Sequence, residues 1–182
     1  IKGEEAAAFG RLASQAGGTL YMAFLAGLNV LFYKYTGQED IIIGTGVAGR
    51  RHADLGPLIG MFVNTLAMRN HPSGGLTFGQ FLDTVVKRSI EAFEHQDYPF
   101  DTLVEKLALE RDRRRNPVFD VCMVVQNFTD DDGGDDEDDS NADRSAKFDM
   151  TFFVSESQDG LEIAIEYYSR VFKEATIKRL AG

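Results

Sequence analysis

The segment from Thr19 to Gly37 constrains the fold of this chain more than any other stretch of its sequence. As a helix, TLYMAFLAGLNVLFYKYTG would carry apolar side chains on nearly every side: Leu20, Tyr21, Phe24, Leu25, Leu28, Leu31 and Phe32. A helix with this pattern has to be buried. Thr19 predicts its N-cap and Gly37 its end, and the apolar run Ile41–Thr45 that follows predicts a buried strand. We therefore expect the helix to lie against a β-sheet.

The remaining sequence supplies further elements for one α/β domain spanning residues 1–182. Apolar periodicity predicts helices over Glu4–Gln15, Thr77–Phe93 and Phe172–Leu180, and Pro99 opens a short helix, FDTLVEKL. Strands are predicted over Met61–Arg69, Val118–Gln126, Phe148–Val154 and Leu161–Tyr168, with Asp159-Gly160 as a hairpin signal before the last one. The predicted architecture is a mixed β-sheet packed with helices.

The negative charge of the chain is concentrated in one short segment. The net charge is -10, and the run from Asp130 to Asp139 alone carries eight acidic residues. The rest of the chain is close to neutral, which disfavours binding to nucleic acid. Like charges and a glycine pair predict a flexible loop at about residues 129–146. The run lacks the spacing of a calcium loop, so no metal is expected there.

Several features indicate a cytoplasmic protein. The sequence has no apolar run long enough to span a bilayer, and its first residues lack the pattern of a signal peptide. No membrane partner is therefore expected. The single cysteine, Cys122, lies within an apolar run, which predicts a buried residue in a reducing compartment.

The three glycines after the predicted strand Ile41–Thr45 spell G-x-G-x-x-G. They are Gly44, Gly46 and Gly49. A dinucleotide site needs a helix directly after this loop and a carboxylate about 20 residues further on. The next residues carry Gly56, Pro57 and Gly60 and form a poor helix, and the stretch VNTLAMRNHP holds no acid. We expect the glycines to serve another purpose.

The residues alone reveal no catalytic or metal-binding constellation. The three histidines, His52, His71 and His95, have no second histidine or cysteine at ligand spacing. No serine or cysteine nucleophile is paired with a base either. The arginine-rich loop 110–117 allows two interpretations: solvated ion pairs, or an arginine held bidentate by a carboxylate so that the loop is pinned to a neighbouring element.

Three motifs, in order and at matching spacing, resemble the condensation domains of nonribosomal peptide synthetases. Ile59 to Arg69 is similar to I-G-x-F-V-N-T-x-x-x-R, and His95 to Phe100 is similar to H-Q-D-x-P-F-E. Arg111 to Val118 is similar to R-D-x-S-R-N-P-L. Departures from these patterns occur at Asp101, Arg114 and Val118. The segments YKYTGQEDIIIGTGVAGR and FDVCMVVQN extend the resemblance to nearly the whole chain.

The resemblance implies the C-terminal lobe of a condensation domain. Such domains consist of two lobes, each like chloramphenicol acetyltransferase, and together the lobes join two carrier-bound thioesters through a peptide bond. The catalytic H-H-x-x-x-D-G motif belongs to the N-terminal lobe and does not occur here, so no catalytic residue is assigned and the isolated chain is expected to be inactive. The implied partners are the N-terminal lobe, peptidyl carrier proteins and a neighbouring adenylation domain. No cofactor is expected to bind tightly, although the 4'-phosphopantetheine arms of the carriers would pass nearby.

The resemblance also suggests roles for individual residues at the lobe interface and substrate tunnel. There, Gly44, Gly46 and Gly49 would let the backbone approach the partner lobe or a pantetheine arm. Asn64 and Thr65 are the polar candidates for facing the tunnel; Asn64 is preferred because its amide both donates and accepts, and the alternative is that both satisfy neighbouring backbone groups. Arg50 and Arg69 would pair with carboxylates around the interface.

Other motif residues are expected to be structural. Asp97 would cap the helix that Pro99 opens. Arg111, Asp112 and Arg115 belong to the arginine-rich loop, and Asn116 with Pro117 would end that loop before the next strand. The acidic segment stands where the family usually carries a segment that crosses to the N-terminal lobe as a latch.

Three other functions stay open at this stage. The chain could belong to an epimerisation or cyclisation domain, which shares the scaffold, and the motif in the other lobe would distinguish these. It could be part of a related acyltransferase. It could also act as a non-catalytic docking module that binds carrier proteins without turnover.

Overall fold

A computed structural model describes residues 1, 3–50, 53–55, 57–108, 115–126, 146–157 and 160–182. Its elements are α1 (Gly3–Gln15), α2 (Leu20–Thr36), β1 (Ile41–Val47), β2 (Asn64–Asn70), α3 (Phe78–Glu94), α4 (Phe100–Leu107), β3 (Val121–Gln126), β4 (Met150–Ser157), β5 (Gly160–Tyr167) and α5 (Glu174–Ala181). The predicted α/β class and mixed sheet are confirmed. Arg111, Asp112, His52 and residues 129–145 of the acidic segment lie outside the described residues.

The five strands form one sheet in the order β2-β1-β3-β4-β5. β1, β3 and β4 run parallel to one another, and each outer strand, β2 and β5, is antiparallel to its neighbour. The predicted hairpin is confirmed by the pairing of Ser157 with Gly160. β1 and β3 share only one paired position, Gly44 with Cys122. The sheet is therefore least tightly paired at its centre, where β1 meets β3.

Local signals fix the ends of the long helices. The Thr19 hydroxyl accepts a hydrogen bond from the Met22 amide at 3.4 Å, and Gly37 ends α2 with a left-handed φ of 71°. Thr77 and Gln80 form a reciprocal capping box at the start of α3. Because these signals lie within a few residues of the helix ends, the sequence predicts both helices to within one residue.

The main core lies between the helices and one face of the sheet. Ile43, Met123 and Phe152 lie on this face of β1, β3 and β4, and all are nearly inaccessible to solvent. Leu25 of α2 is fully buried in the same core. The prediction that α2 packs against a sheet is confirmed.

An aromatic cluster covers the opposite face of the sheet. Phe119 contacts Phe100 and Phe148, with ring centroids 5.5 Å apart in both pairs. The Phe119 ring lies over Gly44 of β1, which leaves no room for a side chain there. Cys122 is buried, and burial raises the pKa of its thiol to about 11. The thiol is therefore kept neutral, in agreement with the prediction of a buried cysteine.

The start of β2 is predicted wrongly. β2 begins at Asn64 and not at Met61, because residues 61–63 belong to an exposed loop. Apolar side chains in a loop imitate the composition of a strand. β3 and β4 also begin later than predicted, at Val121 and Met150.

Candidate functional site: the loop between β1 and β2

The loop that joins β1 to β2 presents apolar side chains to solvent. Four of them form what we call the apolar tip: Leu58, Ile59, Met61 and Val63, with exposed fractions of 50%, 104%, 94% and 67%. Exposed apolar side chains that are contiguous in a chain mark a surface that is normally covered. Three of these residues, Ile59, Met61 and Val63, belong to the I-G-x-F-V-N-T motif. This loop is therefore the part of the described chain most suited to contact another protein surface.

Asn64 anchors the end of this loop at the first residue of β2. Its Nδ2 donates to the carbonyl oxygens of Gln96 and Tyr98, both at 2.7 Å. Its Oδ1 accepts from the amide of Phe100 at 3.2 Å. Both ends of the amide are thus engaged by the H-Q-D-Y-P-F segment. Of the two alternatives for Asn64, these contacts support the one in which it satisfies neighbouring backbone groups.

Thr65 takes the opposite side of the strand. It pairs with Gly46 and is half-buried, whereas Leu66 and Met68 point into the main core. Side chains alternate along a strand, so Thr65 faces away from the main core, on the side of Gly44 and Gly46. Thr65 is the better placed of the two polar candidates for contact with something outside this chain.

The three glycines of G-x-G-x-x-G have three different surroundings. An ideal Cβ on Gly44 would lie 2.0 Å from the Phe119 ring, and one on Gly49 would lie 1.9 Å from the Phe62 carbonyl oxygen. Gly49 also has a left-handed φ of 64°. At both positions a close neighbour within this chain is itself a reason for glycine, and an approach to a partner lobe or a pantetheine arm stays a prediction. The next described element after them is a three-residue 3-10 helix, Ala53–Leu55.

Gly46 is the glycine that opens onto free space. Nothing lies within 4 Å of an ideal Cβ on it. It lines a cavity of about 450 Å³ near the ends of β1 and β3, together with Thr19, Leu20, Tyr21, Thr45, Phe93, Val124 and Val125. Burial raises the pKa of the Tyr21 phenol beside this cavity to about 12, so the phenol stays neutral. The cavity has the size and mixed lining of a small-molecule site.

The two interface arginines have different partners. Arg69 holds Asp40 through two hydrogen bonds, from Nε to Oδ1 at 2.8 Å and from Nη2 to Oδ2 at 2.7 Å. Hydrogen bonding to Arg69 is the main reason why the pKa of the exposed Asp40 carboxyl is lowered. Arg50 instead donates to the carbonyl oxygens of Leu55 and Leu58 in the loop. The expected pairing with a carboxylate is thus seen for Arg69, within the chain itself.

The H-Q-D-Y-P-F segment leads into α4. Pro99 is the N-cap residue of α4, as its position before the helix predicts. The first helical amide, that of Phe100, donates to Asn64 of the neighbouring strand β2. The capping role of Asp97 stays a prediction.

The described end of the arginine-rich loop closes on itself. Arg115 makes a bidentate ion pair with Asp120, and Asn116 donates to the Lys147 carbonyl at 3.2 Å. The charge of Asp120 adds to burial in raising the pKa of the nearby Asp149 carboxyl. The bidentate arginine of the second interpretation is present, and Asn116 provides the contact with a separate segment.

The two described histidines, His71 and His95, have different surroundings. The His71 side chain is 47% exposed, with Nε2 3.4 Å from Asp40 and Nδ1 facing Arg88. His95 caps the end of α3 and borders an open depression of about 250 Å³ that also includes Glu91. Among the described residues, no group of three or more His, Cys, Asp or Glu side chains could hold a metal ion. Within the same residues, no single helix is long and apolar enough to cross a bilayer, although α1 and α2 together, bent by 102°, reach that length and composition.

Comparison with known proteins identifies sequences similar to this one. The family model described as "Condensation domain" matches residues 1–182. Bacitracin synthase 3 of Bacillus licheniformis is 45% identical over 189 residues, which cover 100% of this chain and 3% of the synthase. Tyrocidine synthase 3 of Brevibacillus parabrevis is 47% identical over 186 residues, covering 94% of this chain and 3% of the synthase. The chain therefore spans a small fraction of the length of these relatives.

Solved structures agree with the fold. A four-domain nonribosomal peptide synthetase bound to AMP and glycine superposes with a TM-score of 0.87 at 24% identity, over 99% of this chain and 15% of the synthetase. The X-domain from teicoplanin biosynthesis superposes with a TM-score of 0.81 at 28% identity, over 97% of this chain and 42% of the X-domain chain. The same X-domain has also been solved in complex with OxyB, at 27% identity.

Proposed function

Since this chain belongs to the condensation-domain family of nonribosomal peptide synthetases, we propose that it is the C-terminal lobe of such a domain. With an N-terminal lobe it would form peptide bonds between aminoacyl and peptidyl thioesters held by carrier proteins. The N-terminal lobe would supply the catalytic histidine, and this chain would supply one wall of the shared channel. We place the protein in the cytoplasm, next to carrier proteins and an adenylation domain of the same synthetase.

The exposed apolar tip is the observation that carries this proposal. Ile59 and Met61 are almost fully solvent-exposed although both lie in a family motif. The chain corresponds to 42% of the X-domain chain that it superposes on. A two-lobed domain contains a further body that could cover the tip, and covering it would remove the apolar side chains from water.

Gly46 and its cavity support a place for the pantetheine arm. The arm is a slender chain that carries the acyl group as a thioester. The cavity of about 450 Å³ beside Gly46 is large enough for a narrow extended group. In this proposal, Gly46 and Thr45 would contact the arm, and Phe93 would line the apolar side.

The proposal is tested by assaying the chain alone and within a two-lobe domain. With donor and acceptor carrier proteins loaded, we expect peptide-bond formation from the two-lobe domain and none from the chain alone, because a general base has to reach the proton that it removes. Product formed by the chain alone would contradict the proposal that the N-terminal lobe supplies the catalytic histidine. Absence of product from a folded two-lobe domain would contradict the function.

A double variant tests the apolar tip within the same assay. Ile59→Asp with Met61→Asp should separate the lobes and abolish turnover, because two carboxylates would have to be buried at the interface. Val171→Asp is the matched control: Val171 is 52% exposed, and its neighbour Phe172 lies near Ile41 at the opposite end of β1. Equal effects of the two changes would show that the tip has no special role.

A docking module is the second candidate. It is favoured by the 27% identity to an X-domain solved in complex with OxyB. A two-lobe domain that binds loaded carrier proteins or a partner enzyme without turnover would support this alternative. Epimerisation would appear in the same assay as inversion of the bound aminoacyl or peptidyl group without condensation, and cyclisation as loss of water from the condensed product.

A further inference from the structure

Arg50 contacts three separate positions of the described part of the loop between β1 and β2. Its Nη1 donates to the carbonyl oxygens of both Leu55 and Leu58, the latter at 2.9 Å. Its guanidinium carbon lies 4.5 Å from the centroid of the Phe62 ring. One cation therefore joins three points of the loop that are separated by up to seven residues.

The backbone brings the two ends of the loop together at the same place. Gly49 is so close to the Phe62 carbonyl that a side chain could not be accommodated, and its φ of 64° is one that residues with a side chain rarely adopt. Gly60 approaches the Phe62 ring, with an ideal Cβ 3.0 Å from that ring. Gly49 and Arg50, at the start of the loop, thus pack on Phe62 near its end.

The apolar tip extends from the part of the loop that Arg50 contacts. Its side chains are exposed and contribute little to holding the loop in place. An apolar surface segment without internal support would be expected to sample many conformations and to lose them on binding. The contacts of Arg50 replace the missing support.

We infer that Arg50 is a positioning residue that pre-orders the apolar tip for docking onto the N-terminal lobe. The inference rests on the proposed function, because that function identifies the surface that the tip meets. Pre-ordering raises affinity by reducing the conformational entropy lost on association. Arginine suits the role because its planar group donates hydrogen bonds at its edge while its face packs on a ring; lysine has no such face.

The first experiment measures, in the chain alone, how strongly Arg50 restricts backbone motion in the loop. Backbone ¹⁵N relaxation should give order parameters for residues 57–63 near 0.85, the value of rigid backbone, in the unaltered chain, and below about 0.6 in Arg50→Met. Arg50→Lys should lie between the two. Arg88→Met is the matched control: Arg88 is also exposed and donates to a backbone carbonyl, that of Arg69, near the far end of β2. Unchanged order parameters in Arg50→Met would overturn the inference without affecting the proposed function.

The second experiment measures docking by calorimetric titration of the separately produced N-terminal lobe of the same domain. Arg50→Met should weaken binding by about 10- to 100-fold, as expected for the loss of hydrogen bonds from a charged donor. Arg50→Lys should recover part of the affinity, and Arg88→Met should change it by less than about 3-fold. In the two-lobe domain, Arg50→Met should lower turnover in proportion to the loss of lobe docking, while the KM for the loaded carriers stays unchanged. A loosened tip with unchanged lobe affinity would overturn the inference, whereas failure of the unaltered chain to bind the lobe would instead contradict the interface in the proposed function.

Discussion

The ring of Phe119 occupies the space that a side chain on residue 44 would need. An ideal Cβ on Gly44 lies 2.0 Å from Cε2 of Phe119, and this ring is part of the aromatic cluster on the second face of the sheet. Gly44→Ala should therefore destabilise the chain by about 1–3 kcal/mol, because the ring and its neighbours have to move. Urea unfolding measures the change. Gly46→Ala is the control, since its Cβ meets open space, and it should stay within about 0.5 kcal/mol.

The Asn64 amide predicts a difference between two nearly isosteric side chains. Asn64→Asp keeps an oxygen for the Phe100 amide but loses the donor to Gln96 and Tyr98, and it places a carboxylate against their carbonyl oxygens. We expect a loss of roughly 2 kcal/mol or more in the free energy of unfolding. Asn116→Asp, which loses a single exposed bond to Lys147, should cost less than about 1 kcal/mol. Similar losses for the two variants would argue against the role of Asn64 as an anchor.

The buried thiol of Cys122 predicts a loss of stability at alkaline pH. Burial raises its pKa to about 11 from an ordinary value of 9.0. Above pH 9 the unfolded chain releases this proton while the folded chain keeps it, so stability falls as pH rises toward 11. The difference in unfolding free energy between the unaltered chain and Cys122→Ala should therefore shrink from pH 8 to pH 11. A thiol reagent at pH 8 should react slowly with the folded chain and rapidly in urea.

The ion pair of Asp40 and Arg69 predicts that the stability of the fold depends on pH in the acidic range. Hydrogen bonding to Arg69 lowers the pKa of the Asp40 carboxyl below its usual 3.8. The unfolded chain therefore takes up this proton first as pH falls, and the contribution of the pair, full above the unfolded pKa, is lost as pH drops through the folded pKa. Asp40→Asn should be less stable than the unaltered chain at pH 7 and should lose less stability between pH 5 and pH 2. Glu39→Gln, a change at the adjacent exposed carboxylate, serves as the control.

The helices could be predicted because their signals are local. Thr19, Gly37 and Thr77 each act within four residues of the helix end that they define. The order of the elements followed from apolar periodicity alone. The sheet order could not be predicted in this way, because the pairing of β1 with β3 depends on contacts between residues that are nearly 80 positions apart.

The residues of the candidate site were identified by motif, but their contacts were predicted less well. Gly44 is required by Phe119, a residue 75 positions away that no local pattern connects to it. The Phe100 amide at the start of α4 donates to Asn64, which comes from β2 and which no local rule connects to that helix. Met61 and Val63 of the tip were assigned to a strand because they are apolar. Composition alone does not show whether an apolar side chain packs in the core or is exposed on a surface that contacts another protein.

The three hydrogen bonds of Asn64 also constrain how such domains can be recombined. They connect the first residue of β2 to the turn between α3 and α4, so two motifs more than 30 residues apart are held together by hydrogen bonds. A hybrid synthetase whose splice site falls between residues 64 and 96 takes the amide from one parent and the turn from the other. The turn contributes only backbone atoms to these hydrogen bonds. A hybrid therefore keeps them whenever the turn from the second parent has the same backbone conformation, whatever side chains it carries.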